Sequence, residues 1–528
     1  MSSEQQQNSQ LKKRAVVSSF IFKFPENGKK PMVALFKRSD KVSTYKHHLA
    51  PISGSIEPTD ANPLATAWRE LHEETTLTCL SLDLWRKGKP YSFSDESIGR
   101  QWTVHPFAFR LKTPSEGGKG EKGITIDWEH EDWQWYDPDD VVDTPEFGGV
   151  PRLKESLRRV WFEGEMNDGA ASVLANGLDR LRNDHESGSR ELTTVALGIF
   201  RDVIAQLRGD IDGNIGQEWD ILRMIAWHIW KNGRESMGAA TLSALISVLA
   251  DMEDAINDGT QTTDYLLMVL DRHIERRKSM TVRIVESFAT YLRSTFSGRQ
   301  KIAMLTLSAS STIRDSIVEA FKAVDTKCLD IRILESRPLY EGASFASSII
   351  SKFNEKIGAS EEKNLDVTIY TDASAAIASL DVDILLLGSD RISASGAVSN
   401  KVGSLPAVLS AKHVSPGVQV IVLSELEKIA EPGGVDDHLV EENDFREVLS
   451  SWHGCGLKGL NILEENISGE QPERHSNVSV SVKNVYFEWL PPHLVDAFVC
   501  EEGLLGRESI QERSRKIGGE VDRIFGAL

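Results

Sequence analysis

Three glutamates in the run Arg69-Glu70-Leu71-His72-Glu73-Glu74 carry the strongest chemical signal in this sequence. If residues 64–75 are helical, Glu70, Glu73 and Glu74 stand at i, i+3 and i+4 and share one face. Like charges so placed repel one another, and a merely solvated helix usually intersperses lysines. The cluster makes chemical sense around a hard divalent cation, which takes oxygen ligands and bridges phosphates. His72 points away from that face and reads as a surface residue. Pro63 sits where a first helical turn tolerates proline.

A second group of polar residues follows short apolar runs. Residues 308–312 end the IAMLTLS strand, Glu335-Ser336-Arg337-Pro338 end LDIRILES, Asp372 ends DVTIYTD, and Gly388-Ser389-Asp390-Arg391 end DILLLGSD. Ligands of open α/β sheets bind beyond the carboxyl ends of strands. Four such ends in succession predict one crevice holding a small polar ligand.

The elements that must position these groups differ along the chain. AVVSSFIFKF and PMVALFKR flank Pro25-Glu26-Asn27-Gly28 and predict a hairpin. QWTVHPFAFRL reads as a strand, with Trp102, Phe107 and Phe109 alternating as core. In DWEHEDWQWYDPDD, Trp128, Trp133 and Trp135 predict a packed strand. Apolar residues then recur at helical spacing up to about residue 298. Beyond Lys301, strands alternate with helical stretches, which implies parallel βαβ units. The expected organisation is an α/β multidomain chain: a disordered tail (1–11), a first domain (12–165), a helical subdomain (166–298) and a Rossmann-like parallel-sheet domain (299–528). Two acidic stretches, 431–444 and 464–477, read as solvated insertions.

Composition narrows the function. At 528 residues, with 40% hydrophobic and 26% charged, the chain has the make-up of a globular protein rather than a collagen-like, disordered or multi-span membrane one. A net charge of −19 argues against bulk affinity for nucleic acid or anionic membrane. Cys79, Cys328, Cys455 and Cys500 lie too far apart for a zinc-type pair and form no disulfide framework. No apolar run approaches the roughly 20 residues of a membrane helix. A reducing, cytoplasmic setting is expected.

The spacing around Arg69 resembles the Nudix box, a glycine followed by an acid and then an Arg-Glu-x-x-Glu-Glu helix, and the resemblance covers roughly residues 12–160. It implies an α/β/α sandwich and an enzyme cleaving a pyrophosphate linkage in a nucleoside diphosphate derivative, ADP-ribose-like or a nucleotide sugar. It also implies that Glu70, Glu73 and Glu74 bind Mg²⁺, that Arg69 orients a carboxylate, and that Gly54 lies at the substrate. Asp60 or Glu57 stands for the first acid of the pattern, and Glu129 or Glu131 is a further candidate outer ligand. Thr76 replaces the glycine that follows the helix, a β-branched residue disfavoured wherever φ is positive.

The strand-end residues, with Asn400-Lys401-Val402-Gly403, Phe487-Glu488-Trp489-Leu490-Pro491 and Glu501-Glu502-Gly503, resemble a second superfamily. It is shared by the translation initiation factor 2B alpha, beta and delta subunits, methylthioribose-1-phosphate isomerase and ribose-1,5-bisphosphate isomerase. The resemblance implies a sugar-phosphate site in which Asp390 matches the isomerases' catalytic aspartate, Arg234 and Arg337 hold phosphate, and Asn400 and Lys401 fix hydroxyls or orient Asp390. Ser308 stands where the isomerases have cysteine, and a hydroxyl is a poorer proton donor or acceptor near neutral pH. The leading expectation is a Nudix hydrolase fused to a sugar-phosphate-binding 2B-like domain, as a homodimer. The alternatives are an aldose–ketose phosphate isomerase of methionine or nucleotide salvage, and a non-enzymatic 2B-like regulatory module.

Overall fold

A computed structural model describes residues 11–25, 30–185, 187–213, 215–259, 262–358, 362–435, 441–467, 478 and 480–528. Residues 1–10 of the expected tail (1–11) and the centre of the first hairpin, Glu26-Asn27-Gly28, lie outside the described residues. The chain forms two compact units: Met1–Leu178 with Asp202–Asn232 and Leu528, and Asp179–Arg201 with Gly233–Ala527.

The first unit is built on a mixed seven-stranded sheet. Its strands are β1 (Lys12–Lys23), β2 (Met32–Arg38), β3 (Leu49–Ala50), β4 (Leu82–Lys87), β5 (Tyr91–Asp95), β6 (Arg100–Leu111) and β7 (His130–Tyr136). They run β3-β2-β1-β6-β4, with β5 also on β6 and β7 on β2. β1 and β2 pair antiparallel, while β1 and β6 pair parallel from Lys12 opposite Arg100 to Phe22 opposite Arg110. β1 is apolar on both faces because both are covered. Val17 and Ile21 pack against Ala67 and Leu71 of α1 (Pro63–Thr75), and Phe20 and Phe22 against Leu153 and Leu157 of α2 (Leu153–Arg158). The result is an α/β/α sandwich.

Alternation along β6 assigns its aromatic residues differently from the sequence expectation. Phe107 and Phe109 are core, but Trp102 has the opposite parity and is only partly buried, on a different face from them. Trp133 and Trp135 do pack against the α1-side core, whereas Trp128 lies before β7 and is 55% exposed.

The helix Ile215–Asn232 is fastened to the sheet edge by Asn232, whose side chain accepts from the Lys87 N–H at 2.7 Å and donates to the Lys87 carbonyl at 2.9 Å. One turn earlier, fully buried His228 bonds Asn232 through Nδ1 and packs on Phe162. Arg86 lies between the Trp85 and Phe162 rings and is paired to Glu163 at 2.6 Å.

The second unit contains a doubly wound sheet. Its strands are β8 (Lys301–Leu307), β9 (Cys328–Leu334), β10 (Asn364–Tyr370), β11 (Ile384–Leu387), β14 (Gln419–Leu423), β16 (Ala497–Cys500) and β17 (Gly503–Leu505), ordered β10-β9-β8-β11-β14-β16-β17. All neighbouring pairs are parallel except the last. From β8 the chain winds outward through β9 and β10, then returns to the other side of β8 as β11. A small antiparallel sheet joins β12 (Arg391–Ile392), β13 (Val398–Lys401) and β15 (Phe487–Leu490). Helices Gly238–Asn257, Thr263–Lys278 and Met280–Thr295 precede the large sheet.

Two residues of the first acidic stretch depart from the solvated surface expected of it. Glu431 pairs with Arg391 at 3.1 Å and Glu441 with Arg234 at 2.7 Å; residues 436–440 and 468–477 lie outside the described residues.

Two predictions follow from buried or strained groups. Thr76 caps α1 at φ 62°, its N–H donating to the His72 carbonyl, in the left-handed region that β-branched residues enter at a cost of about 1–2 kcal/mol. Thr76→Gly is expected to stabilise the first unit by about 1 kcal/mol, read as a raised urea midpoint by tryptophan fluorescence; an unchanged or lower midpoint contradicts the strain. Burial, with Arg86 and Arg159 nearby, lowers the His228 pKa from 6.5 to about 3. The unfolded chain therefore takes up the proton first, so this contribution is whole above pH 6.5 and is lost as pH falls towards 3. The loss reaches at most about 1.4 kcal/mol per pH unit. His228→Leu should flatten the pH dependence of the midpoint between about pH 4 and 6.5; a curve parallel to wild type contradicts this.

Candidate functional sites

The first site begins with the start of α1. Asn62 caps the helix by accepting from the Ala65 N–H, and Pro63 occupies the first turn, where its missing N–H costs nothing. Arg69 then reaches back to Asp60, whose two oxygens accept from its Nε at 3.1 Å and Nη2 at 3.0 Å. The Glu57 N–H and Thr66 hydroxyl also donate to Asp60. These donors, Arg69 foremost, hold the Asp60 carboxyl well below the usual carboxylate range. Asp60 is thus the anchor of Arg69, and exposed Glu57 contributes only its backbone. The remaining Arg69 nitrogen bonds Glu70 at 2.8 Å and Glu73 at 3.1 Å.

Glu70, Glu73 and Glu74 are brought together, in unequal settings. Glu73 is 56% exposed, Glu70 12%, and Glu74 is buried. Gly54 lies directly on Glu70: a Cβ there would stand 1.9 Å from the carboxyl carbon. Burial raises the Glu70 pKa, with Arg69 opposing and Glu73 and Glu129 adding to it. Glu74 is pushed well up by burial and then by Glu129, Glu70 and Asp127.

Glu129 and Glu131 separate. Glu129 is coupled to Glu74 and Glu73, and burial raises its pKa. Glu131 falls at a β-bulge, where Lys37 pairs with Asp132 and Arg38 with His130, and is drawn away to Lys37 and His47 at 3.1 and 2.7 Å. His130, which sequence reasoning missed, is buried with Nε2 2.5 Å from Glu74 Oε2, and burial lowers its pKa to about 4. The alternating EHED run was the available signal.

A divalent cation fits this donor set. Glu74 Oε1 is buried without a hydrogen-bond partner, and the surrounding groups that raise its pKa are carboxylates. Among the described residues, no three His, Cys, Asp or Glu side chains already close on a metal-sized point. A cleft of about 360 Å³ beside the cluster is lined by Gly54, Glu70, Glu129, Arg14, Arg38 and Trp102. It offers carboxylates at one place, guanidiniums at others and a flat aromatic wall.

The second site is a crevice of about 390 Å³ where the strand order reverses between β8 and β11. Ser308, Asp390, Asn400, Lys401, Arg234 and Lys428 line it. Of the four strand ends expected to converge, those of β8 and β11 line it and those of β9 and β10 do not, so the expected four are corrected to two; Asn400 and Lys401 reach it from the end of β13. Asp372, at the end of β10, instead accepts from the Ser336 and Arg337 N–H groups. Arg337 is likewise corrected: its side chain is 47% exposed, on Glu335 at 2.9 Å and over the Tyr340 ring, away from the crevice.

Ser308 has φ 65°, and its N–H donates to the Ser336 hydroxyl at 2.7 Å. The Asp390 pKa is raised by burial, against Lys428, Arg234 and Lys401. Asn400 donates to Ser404; Lys401 pairs with Glu341 at 2.9 Å with its ammonium 3.4 Å from the Tyr486 ring centroid. Lys428, absent from the sequence expectation, donates to the Ser389 carbonyl at 2.7 Å and pairs with buried Glu425. Burial pushes Glu425 up, but Lys428 and Thr312 outweigh it and hold the carboxyl at about 2. Glu488 accepts from the Gly403 and Leu405 N–H groups, pinning the turn after Lys401. Among the described residues no helix is long and apolar enough to cross a membrane.

With both sites in place, likeness to known proteins can be set beside them. The Initiation factor 2 subunit family matches residues 236–506, and a NUDIX domain matches residues 13–160. The methylthioribose-1-phosphate isomerase of Magnetococcus marinus is 28% identical over 186 residues, 35% of this chain and 44% of that protein. The ribose 1,5-bisphosphate isomerase of Haloferax volcanii is 28% identical over 196 residues, 37% of this chain and 50% of that protein. The chain spans about half the length of these curated relatives. Two solved Pyrococcus horikoshii structures are similar: translation initiation factor eIF-2B (17% identity, TM-score 0.43, 64% of this chain and 98% of that one) and 5-methylthioribose 1-phosphate isomerase (16%, 0.43, 65% and 87%). A NUDIX domain implies pyrophosphohydrolase chemistry with a divalent metal. The chain therefore belongs to the Initiation factor 2 subunit family and joins to it, at the N-terminal end, a NUDIX domain.

Proposed function

We propose that the N-terminal unit is a Mg²⁺- or Mn²⁺-dependent hydrolase of a nucleoside diphosphate joined to a second group, an ADP-ribose-like compound or a nucleotide sugar. The observation that carries this reading is the buried Glu74 carboxyl, with one oxygen on His130 and the other unpartnered, crowded by Glu70 and Glu129. Glu70, Glu73 and Glu74 would hold the cation, with Glu129 as the outer carboxylate. A bound cation supplies Lewis-acid polarisation of the phosphoryl oxygens and a more acidic water. Arg69, tied to Asp60, fixes Glu70 and Glu73 on the helix face, and Gly54 leaves the space that Glu70 occupies. Arg14 and Arg38 bind phosphate oxygens, and Trp102 stacks on a flat base.

The C-terminal unit recognises a phosphorylated sugar, the class of product that hydrolysis of an ADP-ribose-like compound releases. Arg234, Ser308, Asp390, Asn400 and Lys401 form the binding surface. Recognition without turnover is favoured by Ser308, whose hydroxyl pKa lies far from the working range. A second reading, an aldose–ketose phosphate isomerase, draws on Asp390, a half-buried carboxyl whose raised pKa suits proton transfer. Conversion of methylthioribose 1-phosphate or ribose 1,5-bisphosphate, abolished by Asp390→Asn, would establish that second reading.

The hydrolase reading is tested by a Mg²⁺-dependent screen over dinucleotides, nucleotide sugars and ADP-ribose. At least one compound should be cleaved at its pyrophosphate, and Glu70→Gln and Glu74→Gln should each slow turnover by about a hundredfold or more. If no compound is cleaved, or the variants match wild type, the reading fails.

A further inference from the structure

Arg234 faces the crevice of the second unit, yet its guanidinium is already occupied. Nη2 is 2.7 Å and Nε 3.4 Å from the two oxygens of Glu441, and Nη1 donates to the Asp184 carbonyl at 2.8 Å. The Ser236 hydroxyl donates to the same carboxylate. The side chains of Arg234 and Glu441 are only 6% and 14% exposed. Arg234 and Ser236 stand in the turn that leads into the helix Gly238–Asn257, whose positive dipole end favours an anion. A fork, a hydroxyl and a long helix start thus form an anion cradle, filled by the chain's own carboxylate. Both members of the pair lie close enough to Asp390 to act on it electrostatically, Arg234 and Glu441 with opposite sign.

We propose that Glu441 is a specificity-determining residue, an internal anion that a ligand's phosphoryl group must displace from Arg234 and Ser236. The inference rests on reading the crevice as a sugar-phosphate site. A phosphomonoester dianion brings up to two charges and three acceptor oxygens, against one charge and two oxygens for a carboxylate. It can therefore win the exchange, whereas a carboxylate ligand gains nothing over Glu441 and a neutral sugar cannot compete. The crevice selects phosphomonoesters by holding a weaker anion in their place. Glu441 also keeps Arg234 from lying buried and unpaired when no ligand is present, a situation that is strongly destabilising.

Calorimetric titration of the full chain with ribose 5-phosphate, ribose and inorganic phosphate tests this. Removing an internal competitor raises apparent affinity by the factor by which it had depleted the open state, so Glu441→Gln should tighten ribose 5-phosphate binding about tenfold or more. Ribose should remain unbound, and adding Arg234→Lys should erase the gain. The thermal midpoint of Glu441→Gln should fall without phosphate and recover with it. Should that variant fold poorly, Glu441→Asp, one methylene shorter but still charged, should fold and give a smaller gain. Equal or weaker binding by the variants overturns the role of Glu441 while leaving the sugar-phosphate reading intact. No binding by any form of the protein removes that reading, and the inference with it.

Discussion

Crowding several carboxylates against one helix face is the constraint on which the first unit turns. Glu70, Glu74 and Glu129 all have raised pKa values, each with burial as the largest cause and neighbouring carboxylates adding to it. Such an arrangement persists only because other features compel it. Arg69 neutralises part of the charge from below, Asp60 fixes Arg69, and the capped start of α1 fixes the spacing between them. The sheet contributes on both sides: Gly54 presses on Glu70, and the bulge in β7 sends Glu131 outward while Glu129 stays coupled to the cluster. A bound divalent cation would relieve what remains, which is why the cluster supports the proposed binding site.

The second unit solves a different problem with the same kind of charge. Its crevice forms where β8 and β11 part in opposite winding directions, and no further device is needed to create the opening. Three of the cations that line it are answered locally by carboxylates: Lys401 by Glu341, Lys428 by Glu425 and Arg234 by Glu441. On the functions proposed, ligand selection there would rest on exchange between anions, whereas in the first unit it would rest on a cation held by the carboxylates.

The helix spacing of Glu70, Glu73 and Glu74 was legible in the sequence because helical periodicity and capping are local. So was the parallel sheet, since apolar runs alternating with helices leave few topologies open. What escaped depends on pairing across the chain. The bulge that separates Glu129 from Glu131 arises from the register of β7 on β2, which alternation alone does not encode. His130 meets Glu74 across 56 residues, and Glu441 meets Arg234 across 207. The resemblance implies a phosphate role for Arg337, but the nearer Glu335 draws it aside. Trp102 was read as core because the two phenylalanines beyond it are; its even position places it on the other face.

The central claim is that the carboxylates of α1 form a divalent-cation site. Its most direct test is titration of Mn²⁺ into the full chain, followed by electron paramagnetic resonance, with Mg²⁺ as competitor and Glu70→Gln beside wild type. The account predicts a saturable Mn²⁺ site that Mg²⁺ displaces and that the variant weakens by about tenfold or more. Absence of saturable binding, or identical titrations for the two proteins, would contradict it.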